Sequence, residues 1–233
     1  MSNGRKLLFV ISFLIIDLLL IGSILIMRDF TGKNLLKNEV NALIELDFKK
    51  DKYNTEIKSI GSYAVAEEAL KKYLDDYAVE VQNVLRVRYD QRLNNMLTID
   101  NYNEEAPFYT DSLNYLDNLR NNFNYNIDIL MERVSEEAIY NHINNYDADK
   151  DSVNIYNNIL IESNLVKKIE DNQNDLIKKR IEINSYIDSI YDVLVFLRDN
   201  PYYSVISEKI VFPDEGMQNK YYELISKTKR IYE

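Results

Sequence analysis

The first strong pattern along the chain is a nearly continuous apolar run from residue 7 to residue 27, LLFVISFLIIDLLLIGSILIM. As a helix rising about 1.5 Å per residue, this run is long enough to cross a hydrocarbon core of about 30 Å. Its length, and the lack of a small-x-small site after it, favour an uncleaved signal anchor over a cleaved signal peptide. The sequence therefore predicts a cytoplasmic tip and a single transmembrane helix over residues 1–28.

One carboxylate, Asp17, lies near the middle of the apolar run. A charged side chain at that depth is costly, and such residues usually face a partner helix or a polar pathway. The surrounding leucines and isoleucines are also able to offset a cost of about 2.5–3.5 kcal/mol. Two interpretations of Asp17 stay open: an intramembrane contact with a partner, and an acid that is merely tolerated.

The orientation of the predicted span is not decided by the flanking charges. Arg5 and Lys6 precede the run, whereas Arg28, Lys33 and Lys37 follow it, so the positive-inside rule favours neither side. An N-terminal anchor that carries a large acidic domain without cysteine favours an N-terminus inside and a helical domain outside. The opposite orientation would place a helical rod in the cytoplasm.

Beyond the apolar run, the hydrophobic spacing predicts a mainly all-α fold, an elongated antiparallel helical bundle or coiled coil. Residues 29–58 are expected to form a juxtamembrane connector, with helix breaks at Gly32 and at the charge cluster 49–52. Residues 59–233 are expected to form the helical bundle domain. Short polar connections between its helices favour antiparallel neighbours.

Three long helices are predicted within this domain, over residues 63–97, 108–134 and 165–199. Each has apolar residues at helical or seven-residue spacing, beginning in the first helix with Tyr63. The polar stretch 98–107 between the first two is expected to be a connection. The strongest repeat lies in the third helix, where five aliphatic residues recur every seven positions: Ile169, Leu176, Ile183, Ile190 and Leu197.

A different pattern follows the third helix, where β-branched and aromatic residues flank a polar centre. This pattern predicts a small β-hairpin near residues 202–212. Asn200 and Pro201 end the preceding helix, and Pro213 opens a final helix to about residue 232. A lone hairpin is marginally stable in water, so this one is expected to pack against helices.

Composition narrows the functional classes. The 233 residues include 28 Lys and Arg and 38 Asp and Glu, for a formal net charge of -10, and an acidic surface argues against nucleic-acid binding. The chain has no cysteine, which excludes disulfides, thiol catalysis and cysteine-bound metal centres. No P-loop, dinucleotide fingerprint or nucleophile elbow occurs, so neither an enzyme nor a cofactor is predicted.

A weak candidate metal site lies at Asp147, Asp149 and Asp151, whose alternate carboxylates resemble the first half of a calcium-binding EF-hand loop. The remainder departs from that pattern, with Ser152 at the glycine position and Asn158 at the position of the bidentate glutamate. The alternative is a solvated loop whose acids cap the helix that begins near Ser152.

The single histidine, His142, lies among asparagines in a short polar helix and is expected at the surface. The 19 tyrosines lie largely on predicted helices. A tyrosine-rich face suits contact with a protein partner or a glycan. The alternative is a set of core and boundary residues whose hydroxyls reach water.

Three features together resemble single-pass, N-terminally anchored helical proteins of low-GC Gram-positive bacteria. They are the apolar run, the stretch YNTEIKSIGSYAVAEEALKKYLDDYA from Tyr53 to Ala78, and the segment EKIVF before a terminal helix. The resemblance implies a membrane anchor and a helical domain. It names no activity and carries over no functional residues.

These patterns together predict a membrane-tethered extracytoplasmic helical scaffold or adaptor that binds a protein partner, or itself, at the cell envelope without catalysis. Two alternatives stay open. One is a ligand-sensing helical bundle, and the other is a cytoplasmic, membrane-anchored coiled-coil rod that organises the envelope or cell division.

Overall fold

A computed structural model describes the backbone of residues 3–228 and the side chains of residues 15–228. The secondary structure is mostly helical with one small antiparallel sheet, which confirms the all-α class and the hairpin. Two 3₁₀ helices, Arg86–Tyr89 and His142–Asn145, accompany the longer elements. In order, those are α1 (Asn3–Glu45), α2 (Ser62–Leu85), α3 (Gln91–Asn95), α4 (Ile99–Glu105), α5 (Thr110–Arg133), α6 (Glu136–Asn141), α7 (Lys150–Glu162), α8 (Leu165–Asp199), β1 (Ser204–Ile206), β2 (Lys209–Val211) and α9 (Glu215–Lys227).

The chain divides into two compact units. Unit 1 consists of Met1–Ala78 and Ser135–Lys168, and unit 2 consists of Val79–Val134 and Ile169–Glu233. Unit 1 therefore contains α1, most of α2, α6 and α7. Unit 2 contains α3 to α5, most of α8, the hairpin and α9.

Helix α1 is a single helix of 43 residues, so the predicted break at Gly32 is wrong. Past this glycine, Leu36, Val40 and Leu43 are buried at spacings of four and three residues. This stripe packs α1 into unit 1 and outweighs the low helix propensity of glycine. The helix ends at Glu45, shortly before the charge cluster at 49–52 that was also expected to interrupt it.

Over residues 15–27 of α1, the large apolar side chains are exposed around the whole helix. Leu18, Leu19, Leu20 and Ile21 span a full turn and are each more than half exposed. Within the part of the chain that the structure describes, no helix is both long enough and apolar enough to cross a membrane. The predicted span at 7–27 begins with residues 7–14, whose side chains lie outside the described part.

The connector over residues 46–61 runs back along α1. The Tyr63 hydroxyl donates to Asp29 at 3.0 Å, and the Lys71 ammonium lies 2.7 Å from the Glu39 carboxylate. Both contacts advance in the same direction along α1 and α2, so these two helices run parallel. The antiparallel prediction applies to the helices of the 59–233 bundle and does not cover this pair, whose parallel course follows from a connector long enough to reverse the chain twice.

Helices α5 and α8 of unit 2 run antiparallel, as predicted for neighbours in the bundle. Contacts at successively later positions of α5 are made with successively earlier positions of α8. The contacts are Arg120–Asp188 at 2.7 Å, Asn124–Asn184 at 2.9 Å and Asp128–Arg180 at 2.6 Å.

The bounds of α8 match the predicted helix over 165–199. Its five aliphatic repeat residues are all buried, with at most 1% of the side chain exposed. Polar residues at the complementary positions near the start are also used, since Gln173 donates to the Val134 carbonyl at 3.0 Å and Arg180 pairs with Asp128. The repeat residues therefore form one continuous buried stripe along α8. In its first half, the polar residues beside the stripe form hydrogen bonds with neighbouring segments.

The region after α2 differs from the prediction. The first long helix ends at Leu85 rather than near residue 97, and residues 99–105, expected to be a connection, form α4. Thr98 caps α4 by accepting a hydrogen bond from the Asn101 amide at 3.4 Å, and Tyr102 on α4 is buried. A side-chain cap and a buried tyrosine thus both support a helix in this stretch of polar composition.

Candidate functional site

An open groove lies between α1 and α7 in unit 1, with Tyr63 of α2 at its centre. Its two parts have volumes of about 370 and 430 Å³ and share Tyr63, Ile155 and Asn158. We term it the α1–α7 groove. Its polar lining includes Arg28, Lys33 and Lys37 on α1 and Asp151, Asn154, Asn158 and Glu162 on α7.

Asp149 fixes the position of α7 beside the groove. One carboxylate oxygen accepts hydrogen bonds from the hydroxyl and the backbone amide of Ser152, both at 2.7 Å, and so caps the helix. The other oxygen accepts from the Ser62 hydroxyl at 3.0 Å, which ties the starts of α7 and α2 together. The bonds from Ser152, followed by the one from Ser62, hold the pKa of Asp149 below its usual range.

Tyr63 forms the floor of the groove and packs against Gly32 of α1. A Cβ atom at Gly32 would lie 2.7 Å from the Tyr63 ring and 3.2 Å from the Ile60 carbonyl oxygen. Only glycine therefore lets α1 approach this closely. Burial, together with the hydrogen bond to Asp29, raises the pKa of Tyr63 and keeps its hydroxyl a donor.

A buried ion cluster holds α1 against the start of α2. Lys71 has 1% of its side chain exposed, and its ammonium lies 2.6 Å from Glu67 and 2.7 Å from Glu39. It also donates to the Glu56 carbonyl at 2.5 Å. The Glu67 carboxylate accepts from the Ser59 amide at 2.7 Å as well, so each ion of the cluster has several partners.

The charges of this cluster are stabilised by their contacts. Burial alone would raise the pKa of Glu39, but hydrogen bonds from Lys58 and Lys71 bring it below the usual value. Burial alone would also raise the pKa of Glu67, but hydrogen bonds from Lys71 and Ser59 bring it below the usual value. Both carboxylates are therefore ionised at neutral pH, and the groove wall formed by α1 is anchored by paired charges.

Lys168 holds the other end of α1. Its ammonium donates to the carbonyls of Leu43 at 3.2 Å, Ile44 at 2.5 Å and Leu46. These are carbonyls at the helix C-terminus, where a cation also meets the negative end of the helix dipole. Burial lowers the pKa of Lys168. With Asp149, the ion cluster and Lys168 in place, both helical walls of the groove are fixed.

The two walls carry opposite charge. Arg28, Lys33 and Lys37 line the α1 side together with one acid, Asp29, whose carboxylate accepts from the Tyr63 hydroxyl. The α1 side is thus basic on balance, and no ion pair joins the three cations to an acid within residues 15–228. Asp151 and Glu162 line the α7 side. The groove therefore offers a basic wall and an acidic wall to anything that lies in it.

The three aspartates predicted as weak calcium ligands have separate environments. Asp149 is the cap of α7, Asp151 lies in the first turn of that helix, and Asp147 is exposed in the loop before it. Over the described ranges, no group of three or more His, Asp or Glu side chains is placed to hold a metal ion. The capping role of Asp149 matches the alternative given for this loop.

His142 is partly buried, contrary to the expected surface position. Its ring packs edge-on against Tyr73, with 5.2 Å between ring centres, and burial lowers its pKa. Asp17 lies on α1 and is partly exposed, and its predicted contact inside the membrane stays a prediction. The tyrosines divide between both interpretations, since Tyr102 is buried whereas Tyr202 is 79% exposed.

Sequence patterns alone did not identify the groove. In the sequence, its basic residues indicate only membrane topology and Tyr63 only a helical seam. A glycine inside a helical pattern is the one signal of close approach. No protein-family model, curated protein or solved structure matches the chain. The functional proposal therefore depends on the arrangement of the groove and of α1.

Proposed function

We propose that this chain is a membrane-tethered, non-catalytic helical adaptor at the cell envelope. Helix α1 holds it in the bilayer, and the α1–α7 groove receives a segment of a protein partner. One observation carries the proposal: the exposed apolar segment over residues 15–27 and the basic wall of the groove belong to the same unbroken helix.

The apolar segment supports the tether. Large apolar side chains exposed around a full helical turn are unfavourable in water, and surfaces of this kind mark contact with a membrane or a partner. The apolar sequence extends back to Leu7, which supplies the length that a transmembrane helix needs. We also propose that the acidic, cysteine-free part of the chain after the apolar segment lies outside the cytoplasm.

The shape of the groove supports a polypeptide occupant. From Leu25 to Asn41 it follows α1 for about 24 Å, at about 1.5 Å per residue. Small-molecule sites usually enclose most of their ligand, whereas long open grooves between helices suit a partner helix or extended segment. Asn154 and Asn158 offer amide groups to such a segment along the α7 side.

The charges define the chemistry of the occupant. The basic α1 wall favours acidic side chains along one side of the segment, and the acidic α7 wall favours basic side chains along the other. Such complementarity fixes the register of a partner and rejects one inserted the wrong way round. The proposed partner is therefore a segment with acidic and basic residues on opposite sides.

A photo-crosslinking amino acid at Asn158, which is exposed in the groove, tests this proposal in cells of the source organism. We expect a protein adduct of defined mass. We expect its yield to fall about tenfold when Lys33→Glu and Lys37→Glu reverse the basic wall, since each like-charge contact costs on the order of 1 kcal/mol.

The matched control is Lys52→Glu, which reverses an exposed cation outside the groove and should leave the adduct yield unchanged. An adduct that is equally strong in the doubly reversed variant would contradict the proposed role of the groove. So would the absence of any protein adduct in the parent chain.

A further inference from the structure

The β-hairpin of unit 2 has a regular two-residue loop. Ser204 lies opposite Val211, Val205 opposite Ile210, and Ile206 opposite Lys209. The loop residues Ser207 and Glu208 both have positive φ, at 49° and 60°, as a tight hairpin turn that matches the strand twist requires. The loop therefore fixes which backbone groups point between the strands and which point outward.

Hydrogen-bonded and non-hydrogen-bonded residue pairs alternate along an antiparallel ladder. The pair Ile206–Lys209 closes the two-residue loop and is hydrogen-bonded. The next pair, Val205–Ile210, is therefore of the other kind. The N–H and C=O of Val205 point out from one edge of the hairpin, and those of Ile210 point out from the other.

The β2 edge is closed by a side chain from α9. The Gln218 amide oxygen accepts from the Phe212 backbone N–H at 2.8 Å, and its nitrogen donates to the Ile210 carbonyl at 3.3 Å. The side-chain amide thus occupies the place that a neighbouring strand would take. Such closure is one way in which proteins protect a sheet edge from further pairing.

The β1 edge has no such cover. Nothing in the described part of the chain is hydrogen-bonded to the backbone of Val205 across this edge. All three residues of β1 are exposed, and none is charged. An open edge with exposed Val205 and Ile206 is a template for another strand.

We propose that β1 joins two copies of the chain through an antiparallel strand pair centred on Val205. The pattern is self-complementary, because Val205 supplies both an outward donor and an outward acceptor. A two-fold axis at this residue forms both hydrogen bonds at once, as isologous dimers require. The result is a four-stranded sheet in the order β2–β1–β1–β2.

A second copy suits this edge better than an unrelated strand does. The edge has three residues, so pairing with an unrelated strand would form few hydrogen bonds. In a two-fold dimer, each contact occurs twice. The chain has a net charge of -10, but β1 carries no charge, so no like charges face each other across the paired strands. This inference depends on neither the tether nor the groove.

Cysteine crosslinking of the purified full chain in detergent micelles tests the contact. The chain contains no cysteine, so Val205→Cys introduces one thiol per copy. A hydrogen-bonded antiparallel pair has Cα atoms about 5.5 Å apart, within the disulfide range of about 4.4–6.8 Å. Val211→Cys is the matched control, since it is similarly exposed but lies on β2, whose outer edge Gln218 closes.

We expect Val205→Cys to form disulfide-linked dimers about tenfold faster than Val211→Cys under mild oxidation. A second pair of variants measures the mass of the complex by light scattering. Val205→Pro removes the outward N–H without touching the bonds inside the hairpin and should give monomers, whereas Val205→Thr keeps that N–H and should stay dimeric. Equal crosslinking rates at the two positions, or equal masses of the proline and threonine variants, would overturn the proposal.

Discussion

Replacing Lys71 with alanine is expected to lower the free energy of unfolding by about 3–5 kcal/mol, the loss that follows when one partner of a buried ion pair is removed. Glu67 is fully buried and lies 2.6 Å from the Lys71 ammonium, and Glu39 lies 2.7 Å from it. The variant leaves the fully buried Glu67 without its ammonium partner and leaves Glu39 paired with Lys58 alone. Urea unfolding of the full chain in detergent, followed by helical circular dichroism, measures the loss.

The matched control is the neighbouring Lys72→Ala. Lys72 forms an ion pair of similar length with Asp76, at 2.7 Å, but the two side chains are 52% and 54% exposed. Exposed pairs of this kind contribute at most about 1 kcal/mol. Equal losses for the two variants would show that the buried ion cluster does not hold α1 against α2.

The same cluster predicts how stability depends on pH. The pKa values of Glu39 and Glu67 are lowered in the folded state, so their contribution is complete above the ordinary carboxyl pKa of about 4.5. It is lost as the pH falls through the lowered values. In Lys71→Ala, protonation removes the uncompensated buried charge. The difference in stability between parent and variant should therefore be smaller at pH 4 than at pH 7.

Gly32→Ala is expected to destabilise unit 1 by up to about 2 kcal/mol. The added methyl group would lie 2.7 Å from the Tyr63 ring, and overpacking of this kind costs about 1–3 kcal/mol. Alanine recovers about 1 kcal/mol through its higher helix propensity, so the net effect is smaller than the clash. The ring has to move, which breaks its hydrogen bond to Asp29 and changes the floor of the groove.

Gly22→Ala is the matched control in the same helix, because nothing lies within 4 Å of a Cβ atom at that position. This variant should be neutral or stabilising by about 1 kcal/mol. Urea unfolding gives both values, and the photo-crosslink yield at Asn158 reports on the groove. A Gly32→Ala chain as stable as Gly22→Ala would contradict the close approach of α1 and Tyr63.

Local repetition explains which parts of the fold were predictable. The bounds of α8 follow from five aliphatic residues at constant spacing and from Asn200-Pro201 after them. The hairpin follows from a change of period and residue type within a few positions. In both cases the signal and the structure that it predicts lie in the same short segment.

Long-range packing explains what was missed. The parallel relation of α1 and α2 depends on the path of residues 46–61, and no local pattern specifies such a path. Helix α4 buries Tyr102, whose ring packs against Tyr109 outside that helix. The groove combines three separate segments, and Gly32 has its role only because Tyr63 meets it there.

We propose that α1 leaves a bilayer near Arg28 and continues without a break into the wall of the groove. Because the chain has no cysteine, single cysteines at Leu19, Ile24 and Asn38 can each carry a nitroxide label in phospholipid vesicles. We expect the labels at Leu19 and Ile24 to be relaxed by dissolved oxygen and shielded from a water-soluble nickel complex, and the label at Asn38 to show the reverse. Equal access of the nickel complex to all three positions would contradict this placement of α1 in a bilayer.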